Sequence, residues 1–160
     1  MPVEVRPVEE RDRGWLGDAV AEAWASDRMV TRGRLIEPIS SCPGFVAEVD
    51  GRPAGLALLA DREDGLEVVA LLALERGAGV GGALLAEVER EAAHRGTRAW
   101  LVTTNDNTRA LRFYQRRGWE LVALHCNAVT EARRLKPEIP ETGDDGIPIR
   151  HELELQWTPP

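Results

Sequence analysis

The chain has one lysine, one tyrosine and two cysteines in 160 residues, and no apolar run near the ~20 residues that cross a bilayer. Each scarcity excludes something. Cys42 and Cys126 stand alone, without a Cys-x-x-Cys or a framework of pairs, so a disulfide scaffold is excluded and a reducing compartment is expected. The opening Met1-Pro-Val-Glu-Val-Arg6 lacks the basic start and apolar stretch of a secretory signal, which makes the cytoplasm the expected location, with no membrane partner. His94, His125 and His151 have no ligand spacing, and no metal is expected. Positive charge is also short: the net charge is −7, with 27 acidic residues spread along the chain. Such a chain gains nothing from counterion release, which argues against a general nucleic-acid role and suits a cationic partner.

What is present is enough for one packed core. Forty-three per cent of the residues are apolar, and the length fits a single domain over residues 1–160. Val3-Glu-Val-Arg6 alternates as a short strand would, and Leu16, Val20 and Trp24 mark a helix over Glu9 to Trp24. Two strand-like runs, Gly44 to Val49 and Ala54 to Leu59, flank Asp50-Gly51, a hairpin signal. A further strand, Leu66 to Leu74, follows Asp64-Gly65. The pattern then changes to a helix, with Val80, Leu84, Val88 and Ala92 on one stripe and His94, Arg95 and Gly96 at its end. With Ala99 to Thr103 this makes a βαβ unit, so strands 66–74 and 99–103 are expected to be parallel neighbours. A helix over 107–117, a strand over 119–125, a Pro/Gly-rich stretch over 126–150 and a last strand from His151 to Trp157 complete the chain. The class is α+β, with a mixed, mostly antiparallel central sheet of about six to seven strands and flanking helices.

At the strand-to-helix join stands Arg76-Gly-Ala-Gly-Val-Gly-Gly82. The first turn of a helix offers unpaired N–H groups and the positive end of the dipole, and glycines let phosphate oxygens come close. Two ligands and a purely structural tight turn compete for this segment. Gly77, Gly79 and Gly82 satisfy Gly-x-Gly-x-x-Gly, the dinucleotide fingerprint. Against a nicotinamide cofactor, more than seventy residues precede the loop, and Asp106 falls about 24 residues after Gly82, where the fingerprint expects an acid at about 20.

Read as Arg-x-x-Gly-x-Gly, the same stretch resembles the pyrophosphate loop of GNAT acetyltransferases. Further along, Thr104-Asn-Asp-Asn-Thr-Arg-Ala-Leu-Arg-Phe-Tyr-Gln-Arg-Arg-Gly-Trp119 is similar to that family's second signature, Asn-x-x-Ala-x-x-x-Tyr followed by Gly and an aromatic. Asn107, Ala110, Tyr114, Gly118 and Trp119 fill it without a gap. The two motifs, in this order, cover about residues 66–125. One departure is the missing proline ahead of the loop in Leu71-Leu-Ala-Leu-Glu75, which leaves the register of that strand open.

The resemblance implies acetyl-CoA as co-substrate and direct transfer of acetyl to a primary amine of a small molecule or peptide. It implies cofactor contacts from the backbone of Leu72, Ala73 and Leu74, from Arg76, Gly77, Ala78, Gly79, Val80, Gly81 and Gly82, and from Asn107. Asn107 is also a good helix N-cap on its own account. Tyr114 would protonate the departing thiolate, or stand as a core aromatic with its hydroxyl at the rim. Glu67 would deprotonate the amine, or be an ordinary strand charge. Arg112, Arg116 and Arg117 read as a solvated helix face, with contact to the CoA 3′-phosphate as the second reading. The acceptor would meet residues 15–43 and 126–150. The strand from Arg150 to Trp157 reads as an edge that could pair in a homodimer. A binding module without turnover and a nicotinamide-dependent oxidoreductase are the alternatives in other classes.

Overall fold

The structure is a computed structural model that describes residues 2–160. Strands β1 (Val3–Pro7), β4 (Gly44–Val49), β5 (Arg52–Arg62), β6 (Gly65–Ala73), β7 (Ala99–Thr104), β9 (Glu152–Trp157) and β8 (Glu120–His125) form one sheet in the order β1-β4-β5-β6-β7-β9-β8. Every pairing is antiparallel except β6 with β7, the expected βαβ pair. The hairpin between β4 and β5 turns on Asp50 and Gly51, both at positive φ (53° and 74°), as a two-residue primed turn requires. The next turn is on Glu63 and Asp64, one residue earlier than the sequence suggests, since Gly65 already pairs with Arg62.

Two apolar layers cover the sheet. On one face α2 (Val80–Arg95), through Val80, Leu84, Leu85 and Val88, and α3 (Thr108–Arg116), through Tyr114, join Ala57, Leu59, Leu66 and Val68 in one core. On the other face α1 (Arg13–Trp24) lays Leu16 and Val20 on Leu56, Leu58 and Val69. Alternation along β5 supplies both layers, as the period of two requires. Asp12 anchors the start of α1: it accepts hydrogen bonds from Arg6 (2.7 Å) and from the Trp15 indole (3.1 Å), and Arg6 also meets Glu48 at 2.5 Å. The Arg6 guanidinium, above all, holds the Asp12 carboxyl well below the usual carboxylate range.

Two features depart from the sequence reading. A small hairpin, β2 (Met29–Thr31) with β3 (Arg34–Ile36), lies in the stretch after α1. The last strand is not an edge: β9 is inserted between β7 and β8, so the exposed edge on that side is β8, with Leu121, Val122 and Leu124 largely exposed. The 126–150 connection begins with a short helix, α4 (Ala128–Ala132), and is tied down by polar contacts. Lys136 Nζ donates to the carbonyls of Trp24 and Arg28 (2.7 and 2.8 Å), and Arg133 donates to those of Ile139, Pro140 and Ile149. Among the described residues no helix is long and apolar enough to cross a membrane.

The sheet opens at one place, and that opening positions the site. β6 and β7 pair only at Leu66 with Ala99 and Glu67 with Trp100. Just beyond, β6 carries an extra residue: Leu58 of β5 faces Ala70 and Leu59 faces Val68, leaving Val69 unmatched. A bulge bends its strand. From there β6 and β7 part, and a cleft forms between them.

Candidate active site

The cleft has a volume of about 210 Å³ and is walled by Val68 to Leu71 of β6 and Leu101 to Thr104 of β7. Thr31, Asn107, Tyr114 and Glu152 also reach it. The backbone of β6 on this side has no strand partner. Leu74 N–H donates to Ala54 O (2.7 Å), and Leu72 stands opposite Leu56 in the same register. Hydrogen-bonded partners recur at every second residue of an antiparallel ladder, so the amides of Leu72 and Leu74 are spent on β5. Those of Leu71 and Ala73 turn towards the opening. Of the three residues expected from sequence, only Ala73 is so placed, and Leu71 joins it; the bulge at Val69 sets this parity.

At the outer end of β6 the glycine loop leads into α2. Gly77 and Gly79 have φ of 81° and 78°, and a Cβ on either would meet nothing within 4 Å. They are needed for the turn, and the space in front of them is open. Gly81 and Gly82 serve a different purpose: a Cβ there would stand 3.3 Å from Phe113 and 2.9 Å from Arg117 of the neighbouring α3 segment. The tight-turn reading therefore accounts for Gly81 and Gly82, while Gly77 and Gly79 leave an accessible helix start. Arg76, Arg109 and Arg112 line a hollow of about 710 Å³ beside it, next to Asn107 and facing Asp144 and Asp145, so arginines outnumber carboxylates there by one. Arg117 lies over the first turn of α2, at Gly82.

Asn107 caps α3, its Oδ1 accepting from Ala110 N–H at 3.1 Å, and it borders both the cleft and the basic hollow. About two helical turns later, Tyr114 lines the cleft. Its ring is held by Phe113 (5.3 Å between centroids, edge-on) and Trp119 (5.7 Å), and Trp119 is itself fixed by Glu89 at 3.0 Å. No described residue hydrogen-bonds its hydroxyl. Burial pushes the Tyr114 pKa up, so the phenol keeps its proton at neutral pH.

The structure brings Tyr114 together with Glu152, which the sequence did not single out. Glu152 is 3% exposed, and the one described group bonded to its carboxylate is the N–H of Arg32 (3.1 Å). Burial, above all, raises its pKa, and the nearby charge of Glu67 adds to this. Glu67 is fully buried as well but differently engaged. It accepts from Thr31 Oγ1 (2.6 Å) and pairs with Arg62 (2.8 Å), and it lines a separate polar hollow with Arg32, Asp64 and Trp100. Among the described residues no three histidines, cysteines or carboxylates gather as a metal cluster.

A third hollow, of about 510 Å³, adjoins the cleft between the end of α1 and the 126–150 connection. It shares Trp24, Met29, Val30, Thr104, Asn107 and Glu152 with the cleft. Of the residues expected to meet an acceptor, Trp24 and Asp144 line this hollow, and Arg32 and Arg34 line the polar one. Trp15 is bonded to Asp12 instead, and Arg28 pairs with Glu138 at 2.8 Å.

Comparison with known proteins gives the arrangement a context. The family model described as the acetyltransferase (GNAT) family matches residues 13–119. The uncharacterised protein YdhI of Bacillus subtilis (strain 168) is 38% identical over 150 residues, covering 92% of each chain. Among solved structures, a Bacillus subtilis acetyltransferase in complex with CoA superposes with a TM-score of 0.72 at 18% identity, covering 99% of this chain and 100% of that one. A GNAT family acetyltransferase from Elizabethkingia anophelis with acetyl-CoA bound gives 0.67 at 18% identity, covering 98% of each. At that identity the two superpositions speak to the fold alone.

Proposed function

Because this chain belongs to the acetyltransferase (GNAT) family, we propose that it is an acetyl-CoA-dependent N-acetyltransferase that acetylates a primary amine directly, over one catalytic domain spanning residues 1–160. The observation that carries the reading is the cleft itself. It sets an unpartnered strand edge beside a protonated phenol and a buried carboxylate, and the same strand leads on to the open helix start of α2.

The residues fit the co-substrate part by part. The backbone of Leu71 and Ala73 would pair with the amide-bearing pantetheine arm as an added strand does. The start of α2, through Gly77, Ala78, Gly79 and Val80, would hold the pyrophosphate on its N–H groups, with Arg76 and Arg117 adding charge. Arg109 and Arg112 would meet the outer phosphate. Acetyl-CoA supplies an activated acyl carbon: the N–C bond forms as C–S breaks, two protons leave the ammonium, and one ends on sulfur as the CoA thiol.

The side chains divide the proton work. Tyr114 Oη, held neutral by burial, gives its proton to the sulfur and regains one from the nitrogen. The base role goes to Glu152 rather than to Glu67. Its raised pKa lets it take a proton from an ammonium near neutral pH, and it shares the cleft with Tyr114. Glu67, tied to Arg62 and Thr31, holds Thr31 against the cleft wall.

The test is thiol release from acetyl-CoA over a panel of primary amines, with Tyr114→Phe alongside. Amine-dependent release that Tyr114→Phe loses by at least about a hundredfold is expected. Tight acetyl-CoA binding without release on any amine would leave a binding module instead.

A further inference from the structure

The hollow beside the cleft has an uneven chemistry. Its walls are apolar, with Trp24, Met29, Val30, Val129, Ile139 and Ile149 among them. Its charged lining is four carboxylates, Glu22, Asp106, Asp144 and Glu152, against one cation, Lys136. Lys136 spends two of its three N–H bonds on the carbonyls of Trp24 and Arg28, and burial lowers its pKa. No arginine lines the hollow: Arg32 and Arg34 face the polar one, Arg28 and Arg133 bind Glu138 and backbone carbonyls, and Arg76, Arg109 and Arg112 lie in the adjoining hollow, on the far side of Asp144. Asp106 is also engaged, accepting from Thr104 Oγ1 (2.5 Å) and Asp144 N–H (3.1 Å). Glu22 and Glu152 remain at the two ends, one at the rim on α1 and one at the join with the cleft.

Resting on the acetyltransferase reading above, we propose that the acceptor is a small primary amine with an apolar, ring-sized body and no carboxylate beside the amine. The ammonium sits against Glu152 at the join, and the body fills the apolar hollow. A free amino acid fails on charge. Its carboxylate, two bonds from the nitrogen, would be buried among acidic groups with no guanidinium to meet it, and like charges brought together at an interface are strongly unfavourable. A polyamine fits less well: its second cation could meet Glu22 or Asp144 only at the exposed rim, where water screens the charge, and its chain would leave the apolar walls poorly filled. A peptide amine satisfies the charge rule but brings a polar backbone into the same walls, where each unpaired amide is costly.

The experiment compares three amines with one ring and one chain length: 2-phenylethylamine, phenylalanine, and phenylalanine amide, with spermidine and a peptide amide beginning in methionine as further arms. The proposal expects kcat/KM for phenylethylamine to exceed that for phenylalanine on the order of a hundredfold, and phenylalanine amide to recover most of the loss. Phenylethylamine alone should also raise the unfolding midpoint of the ligand-free protein, which phenylalanine should not. Glu22→Arg, at an exposed helix position, should narrow the amine-to-amino-acid ratio several-fold. Phenylalanine, spermidine or the peptide as the best acceptor would overturn the proposal, as would a ratio unmoved by Glu22→Arg. If none of the five is acetylated while acetyl-CoA still stabilises the protein, the acceptor class falls and the cofactor reading stands. If acetyl-CoA does not bind, both fall.

Discussion

Glu67 and Glu152 lie on one face of the sheet, a few residues either side of Trp100 and Thr104, and Thr31 lines the hollows of both. Around Glu67 the carboxylates are paired: buried Glu67 with Arg62, exposed Asp64 with Arg32 and Arg98, and buried Glu154 with Arg98 and His125. Around Glu152 the partners run out. Its carboxylate has one backbone N–H, and the Tyr114 hydroxyl in the same cleft has no bonded partner among the described residues. The buried side-chain atoms without a partner among the described residues are Ser26 Oγ and Trp100 Nε1, so the Tyr114 hydroxyl and the second Glu152 oxygen are open to the cleft, where a ligand or water can meet them. The pairing of charges thus separates framework from chemistry in this molecule, and burial by itself does not.

The strongest way to break that contrast is to remove the phenol. Tyr114→Phe should lower kcat by about two to three orders of magnitude with the acetyl-CoA dissociation constant unchanged by calorimetry. Next, Glu152→Gln should lower kcat/KM about a hundredfold near neutral pH. Because the Glu152 pKa is raised, the wild-type rate should climb as pH rises through that raised value, and the variant should lack this limb. Glu67→Gln is the sharpening partner: kcat/KM should stay within about tenfold, while denaturant unfolding shows a loss of about 1–3 kcal/mol from the stranded Arg62. Equal activity losses in the two glutamine variants would erase the distinction.

Smaller effects follow at the edges of the comparison. Gly79→Ala must hold an alanine at a φ of 78°, which should cost about 1 kcal/mol in unfolding and weaken acetyl-CoA several-fold. The smallest is a stability slope with pH. Asp12 binds its proton less readily folded than unfolded, so the stability it confers is full above the ordinary carboxylate range, about pH 4, and is lost as pH falls below it. Glu152 has the opposite sign: its cost applies above its raised pKa and is relieved as pH falls. Asp12→Asn should flatten the acid loss of stability, and Glu152→Gln should steepen it, both measured by denaturant unfolding between about pH 3 and 7.

What could be read in the sequence was what is local. The Asp50-Gly51 hairpin, the stripe of α2, the cap at Asn107 and the βαβ unit are each set by neighbours a few residues apart, and the sheet class follows from their order. The β2–β3 hairpin escaped because its turn is Arg32-Gly33, both at positive φ, where an Asn or Asp would have signalled it. Leu71 escaped because the parity of β6 depends on a one-residue bulge. Glu152 escaped for a deeper reason. His151-Glu-Leu-Glu-Leu155 alternates as a strand with its acids towards water, but insertion of β9 between β7 and β8 turns those acids inward, towards groups from residues 31–32, 98 and 125. Contacts across such separations leave no trace in a local pattern.

The ligand of the cleft is tested most directly by thermal unfolding of the protein with acetyl-CoA and with NAD, each titrated separately. Acetyl-CoA at about a hundred times its dissociation constant should add about 2.7 kcal/mol and raise the midpoint by several degrees, with no shift from NAD. A midpoint unmoved by acetyl-CoA, or moved by NAD instead, would contradict the assignment of the cleft and of the glycine turn that leads to it.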